Sequence, residues 1–141
     1  MKNVLFLCTG NSCRSIMAEA YLNHIGDGRF KAYSAGSAPT GNVHPMAIKT
    51  LENEGLTTPS ARSKSWDEFA GLQAPTMDFI MTVCDNAAGE VCPIWPGHPA
   101  THHWPFPDPA AFLGNAADTQ AHFEEVFGLI KQRIHEFVGR P

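Results

Sequence analysis

The chain has 141 residues, of which 43% are hydrophobic and 17% charged. Such a chain can bury one real core, and the balance excludes a disordered or coiled-coil protein. The formal net charge of -4 argues against general affinity for nucleic acid or anionic membrane, so an anion site must be local, built from backbone amides and a few cations.

In chain order, Val4–Leu7 is a continuous apolar run, as expected of a strand covered on both faces. It carries one lysine before it and no small-residue cleavage site after it, so it reads as a core strand rather than a signal peptide. No apolar run approaches the roughly 20 residues of a membrane helix. The expectation is a cytoplasmic protein. A Gly/Asn/Ser loop follows, and then a helix from about Ser15 to Ile25, with Ile16, Ala20 and Ile25 on one face, Met17 and Tyr21 beside it, and Gly26 as its stop. Phe30–Ser34 reads as a second strand, stopped at Gly36. Pro45–Glu54 reads as a helix, with proline in its first turn and Gly55 past its end. Trp66–Leu72 reads as a short helix started near Ser65. Phe79–Val83 is a third strand ending at Cys84, Pro93–Pro99 is irregular, and His102-His103-Trp104 is a short fourth strand. Phe123, Val126, Phe127, Ile130, Ile134, Phe137 and Val138 repeat at helical spacing within a last helix from about Thr119 to Val138. No repeat or linker interrupts residues 1–141. Strands alternating with helices predict a single doubly wound α/β domain, with a four-stranded parallel sheet and helices on both faces.

Cys8-Thr9-Gly10-Asn11-Ser12-Cys13-Arg14-Ser15 lies between the first strand and the first helix. A loop entering a helix N-terminus aims several amides at one point, where the helix dipole favours negative charge. Gly10 and Asn11 tolerate the positive φ angles such a nest requires. Arg14 can hold a tetrahedral oxyanion through two parallel hydrogen bonds. The same field favours a Cys8 thiolate: a free cysteine has a pKa of about 8.5, lowered to roughly 3.5–7.5 in such surroundings. Ser15 can donate a hydrogen bond to that sulfur, which leaves Cys8 nucleophilic beneath a bound anion. A bare Cys-x5-Arg is as well read as a buried thiol and a surface charge. The flanking strand, the Gly-Asn pair and the serine after the arginine favour the anion loop.

This octet resembles the signature loop of low-molecular-weight protein tyrosine phosphatases and of the thioredoxin-coupled arsenate reductases in the same superfamily. Met17-Ala18-Glu19-Ala20 and Tyr33-Ser34-Ala35-Gly36 resemble that superfamily too. The likeness runs from Asn3 to the last helix. It implies oxyanion binding by residues Cys8, Thr9, Gly10, Asn11, Ser12, Cys13 and Arg14.

Asp108-Pro109 follows the fourth strand. Cys8, Cys84 and Asp108 each follow a strand, which puts all three on the carboxyl edge of the sheet, where ligands bind in such folds. By itself an Asp-Pro pair opens a turn. The resemblance implies that Asp108 is the general acid for a departing oxygen.

The chain has four cysteines, Cys8, Cys13, Cys84 and Cys92, expected as thiols in a reducing cytosol. A phosphatase needs one thiol, whereas reducing As(V) takes two electrons, which a thiol pair supplies by forming a disulfide. The resemblance implies a relay. Cys8 attacks arsenate, Cys84 attacks Cys8 and releases arsenite, and Cys92 then attacks Cys84. Asn86–Gly89 are small or turn-forming, which suits a loop that reorganises, although the seven-residue gap is slightly longer than in the reductase pattern. Taken alone, Cys84 and Cys92 could be incidental. Zinc is disfavoured, because structural sites pair cysteines two to four residues apart. Cys13 reads as packing.

Asp108-Pro109 is followed by Ala110-Ala111-Phe112, without the aromatic cover that the phosphatases place there, and this suits a small inorganic oxyanion. His98, His102 and His103 read as exposed loop histidines, and no metal site is expected. Asn11 and Glu19 are expected to shape the loop by hydrogen bonding. Arg62 and Lys64, by residue type, read as facing solvent. The resemblance, however, puts Lys64 where some arsenate reductases hold potassium, so that an ammonium would replace the ion. The leading expectation is arsenate reduction with no bound cofactor and an external thiol reductant: thioredoxin first, with glutaredoxin and glutathione or another small thiol as alternatives. Phosphate and sulfate are expected as mimics of arsenate, and a monomer is the default. The competing readings are a tyrosine phosphatase using Cys8, Arg14 and Asp108, and a non-catalytic redox sensor.

Overall fold

The computed structural model describes residues 2–8, 11, 13–26, 28–36, 39–56, 63–69, 76–83, 100–104, 106 and 115–139. Four strands form one parallel sheet: β1 (Lys2–Cys8), β2 (Phe30–Gly36), β3 (Phe79–Thr82) and β4 (Ala100–His103), in the order β2-β1-β3-β4. β1 is inside the sheet, and Val4–Leu7 are fully buried. That explains their unbroken apolar run, since a two-sided strand has no solvent face to carry polar residues. The register sets Cys8 beside Gly36 and Leu7 beside Thr82.

One face of the sheet carries Val4, Phe6, Met81 and Trp104 and packs against three helices, α1 (Arg14–Ile25), α2 (Pro45–Asn53) and α3 (Ala116–Val138). The opposite face carries Leu5, Leu7 and Ile80 and is covered, among the described residues, by Met77 and by Trp66 and Phe69 of a 3-10 turn. That turn spans Trp66–Phe69, at the start of the short helix expected over Trp66–Leu72. Residues 70–72, the rest of that expected helix, lie outside the described residues.

Other boundaries differ from expectation for local reasons. α3 begins three residues earlier than its apolar periodicity, because the Asn115 side chain accepts from the Asp118 N–H at 2.8 Å and caps the helix. β4 starts at Ala100, before the expected His102, and Trp104 falls after it. The deepest face of α1 is Ile16, Met17, Ala18 and Leu22, with Ala20 and Ile25 only partly buried. Gly26 does end α1, yet its φ is an ordinary -63°. A Cβ there would lie 2.7 Å from the Leu22 carbonyl oxygen and 2.9 Å from that of Phe30, so glycine is needed for space. Gly55, by contrast, has φ +79° just past α2, the left-handed stop that glycine permits. α2 opens as expected with Pro45, and His44 Nδ1 accepts the Met46 N–H at 3.1 Å.

Phe123, Val126, Phe127, Ile130 and Ile134 form the buried stripe of α3. Each such side chain contributes about 1.5–3 kcal/mol relative to exposure. Phe123 also packs its ring 4.8 Å from that of His44, joining α3 to the start of α2. Phe123→Ala should destabilise the fold by about 3–5 kcal/mol, read as a lower urea midpoint with an unchanged slope.

Candidate functional site

Cys8 closes β1 at the carboxyl edge of the sheet and is 3% exposed. Arg14 and Ser15 open α1 a few residues later, and Cys13 is the residue before its first turn, with its carbonyl accepting the Met17 N–H at 2.8 Å. The Cys13 thiol is buried in the core, in keeping with a packing role. No acidic side chain occupies the first turn of α1, so its positive end is not offset there by a carboxylate of its own.

Between these anchors, Asn11 has φ +46° and is completely buried. It is the only non-glycine residue with positive φ among the described residues. Asparagine tolerates this region better than most residues. Its side chain is held at both ends: Oδ1 accepts the Lys64 backbone N–H at 2.8 Å, and Nδ2 donates to Ser15 Oγ at 2.9 Å. Because Ser15 Oγ accepts from Asn11, its own hydrogen is directed elsewhere. The Lys64 carbonyl in turn accepts the Gly36 N–H at 2.9 Å, and Gly36 pairs with Cys8. The main chain of Lys64 thus ties the loop to the end of β2.

The side chain of Lys64 does not face solvent: it is buried at 7% exposure. Its Nζ lies 3.4 Å from Ser34 Oγ and 3.9 Å from Glu19 Oε1, and Ser34 Oγ donates to that same Glu19 oxygen at 2.6 Å. An ammonium loses hydration when buried and is tolerated when paired and hydrogen-bonded. Lys64, Ser34 and Glu19 meet that condition and join α1, β2 and the 63–65 segment behind the loop. Ser34 was given no role from sequence, although a serine at a core-facing position of β2 was the available signal.

Arg14 Nη1 donates to the main-chain carbonyl of Phe106 at 3.1 Å. No side-chain pattern announces such a contact. Thr9, Gly10, Ser12, Arg62, Cys84, Cys92, His98 and Asp108 lie outside the described residues. Cys84 directly follows Val83, whose N–H donates to the Leu7 carbonyl at 2.8 Å, so the chain enters that segment from the edge where β1 ends. His102 is exposed, and among the described residues no three His, Cys, Asp or Glu side chains gather as a metal site.

Residues 3–140 match the family model described as low molecular weight phosphotyrosine protein phosphatase. The chain is similar to the arsenate reductase of Bacillus subtilis, with 38% identity over 137 residues, 96% of this chain and 94% of that protein. It also resembles a solved arsenate reductase in the phosphate binding state, with a TM-score of 0.80 and 27% identity over 99% of this chain and 98% of the other. The thioredoxin-dependent arsenate reductase of Corynebacterium glutamicum gives a TM-score of 0.69 at 26% identity, covering 99% of this chain and 60% of that one.

Lys64→Met would leave the Glu19 carboxylate and Ser34 hydroxyl against an apolar side chain. It should cost about 1–3 kcal/mol in urea unfolding, and adding Glu19→Gln should recover part of that loss.

Proposed function

Because the chain belongs to the low molecular weight phosphotyrosine protein phosphatase family, we propose that it is an arsenate reductase of that family, acting in arsenical resistance. The supporting observation is that its likeness to arsenate reductases runs nearly end to end, and so takes in the segment that holds Cys84 and Cys92.

The reaction follows from the residues. Arsenate sits over the start of α1, gripped by Arg14 and the amides of the loop from Cys8 to Arg14. Asn11 Nδ2 donates to Ser15 Oγ, which leaves the Ser15 hydroxyl hydrogen available for the Cys8 thiolate. The Cys8 thiolate attacks arsenic and forms a sulfur–arsenic bond. Asp108 protonates the departing oxygen, which leaves as water. The Cys84 thiolate then attacks the Cys8 sulfur. A sulfur–sulfur bond forms, the sulfur–arsenic pair passes to arsenic, and As(V) leaves as As(III) in arsenite. Two thiols have lost the two electrons that arsenic gained. Cys92 next attacks Cys84, which frees Cys8 and moves the disulfide to Cys84–Cys92.

An external thiol closes the cycle, with no bound cofactor and no resident metal. A protein disulfide presented outward suits a dithiol protein, so thioredoxin is the proposed donor, ahead of glutaredoxin with glutathione. No helix among the described residues is long and apolar enough to cross a membrane. A cytoplasmic monomer is the proposed working form. The small residues after Asp108 favour an inorganic oxyanion over an aryl phosphate.

Two measurements test this reading. With thioredoxin, thioredoxin reductase and NADPH, wild type should oxidise NADPH on addition of arsenate, while Cys84→Ser and Cys92→Ser should lose at least about a hundredfold in turnover, as expected when a covalent step is removed. Aryl phosphate hydrolysis that survives both substitutions, without arsenate turnover, would identify a phosphatase instead. Lys64 already supplies a cation beside Glu19 and Ser34, so added potassium should change neither arsenate turnover nor melting temperature; a clear gain in either would refute that role for Lys64.

A further inference from the structure

We propose that the main-chain carbonyl of Phe106 is a positioning group for the oxyanion clamp: it fixes the plane of Arg14 and sets its distance from Cys8 through the sheet rather than through the loop alone. The inference deepens the proposed function and rests on Arg14 holding the oxyanion.

A guanidinium carries five N–H donors in one rigid plane. A two-point grip on a tetrahedral anion therefore demands a particular plane and a particular edge. α1 fixes the Arg14 backbone, and ordering the long side chain carries an entropic cost that a fixed acceptor helps to offset. The bond from Nη1 to the Phe106 carbonyl, 3.1 Å and partly buried, fixes one corner of that plane. The remaining donors then have a defined direction before any anion arrives.

Phe106 is itself held. Its N–H donates to the Val83 carbonyl at 3.3 Å, extending the β3–β4 ladder beyond the Trp104 N–H bond to Thr82, which is 2.7 Å. Its side chain packs, partly buried, against the main core. Val83 is bonded in turn to Leu7, the residue before Cys8. Leu7, Val83, Phe106 and Arg14 thus form a hydrogen-bonded path from the end of β1 to the start of α1. The path spans the same gap as the loop between Cys8 and Arg14, but is built from strand ends. Two residues beyond Phe106 the sequence reaches Asp108, the proposed acid. Misplacing a clamp by about 1 Å can cost about a hundredfold in rate.

The test is calorimetric titration with inorganic phosphate of wild type, Phe106→Pro, Phe106→Ala, Arg14→Lys and the two double variants. Phe106→Pro removes the N–H that ties this residue to Val83, whereas Phe106→Ala keeps both main-chain bonds and loses only packing. Phe106→Pro should weaken phosphate binding about tenfold when Arg14 is present and less than about twofold in the Arg14→Lys background, the signature of coupled sites. Phe106→Ala should lower the melting temperature while holding affinity within about twofold. Equal losses in both backgrounds, or none, would overturn the inference and leave Arg14 as the clamp. Wild type that fails to bind phosphate, or affinity untouched by Arg14→Lys, would overturn the reading of the site itself and the inference with it. If Phe106→Pro does not fold, the guanidinium NMR signals of anion-free wild type decide: separate, slowly rotating Nη1 protons support the anchor, and a single averaged signal removes it.

Discussion

Strand β1 is paired on both sides, with β2 and β3, and Val4 to Leu7 are buried completely. Its end therefore has little room to move, because shifting it would break two ladders and unpack both faces. Cys8 is the last residue of that strand. Its neighbours are set by register: Gly36 on one side, and on the other the end of β3, reached through the bond from Val83 to Leu7. The strand supplies a fixed thiol, and Arg14 opens α1 six residues later in the chain.

The loop is held from behind by a polar layer inside an otherwise apolar protein. Asn11 in its left-handed conformation would cost energy if unsupported, but both ends of its amide are bonded, to Lys64 and to Ser15. The Lys64, Ser34 and Glu19 side chains extend that layer, and their charges offset one another out of bulk water. In a chain of net charge -4, the buried Lys64 ammonium is balanced by Glu19, while Arg14 stands at the start of α1. Such buried charges interact with little screening. Burial of such a layer is tolerated only when its members are bonded to one another, so it also specifies how β2, α1 and the 63–65 segment meet.

Much of the architecture was readable in the residues. Val4–Leu7, the stripe from Phe123 to Val138 and the punctuation by Pro45 and Gly55 all carry strong local signals, and the corresponding elements are present. Details shifted where a local signal was weak. The short helix expected at Trp66 is a 3-10 turn whose two aromatic side chains enter the second sheet face, and α3 starts early through a cap rather than through periodicity. At the candidate site, Cys8, Arg14 and Ser15 stood out by their spacing together with the flanking strand and the Gly-Asn pair, and Asn11 has the positive φ that its residue type tolerates. Lys64 illustrates the limit: by residue type it reads as solvated, the family resemblance placed an ammonium at a cation position, and its contacts with Ser34, 30 residues away, and Glu19 favour the second reading.

The residues by themselves determined the periodicities, the turn chemistry and the reactive groups, since these depend on side chains near one another in the chain. Three matters were decided only by tertiary structure: the burial of Lys64, the pairing of Ser34 with Glu19, and the bond from Arg14 to the Phe106 carbonyl. Each joins groups at least 15 residues apart, and the Arg14 contact spans 92. The Phe106 acceptor is a peptide group that every residue type carries. Composition and spacing cannot mark such a group, and the sheet register that brings it to the helix start exists only once all four strands are paired.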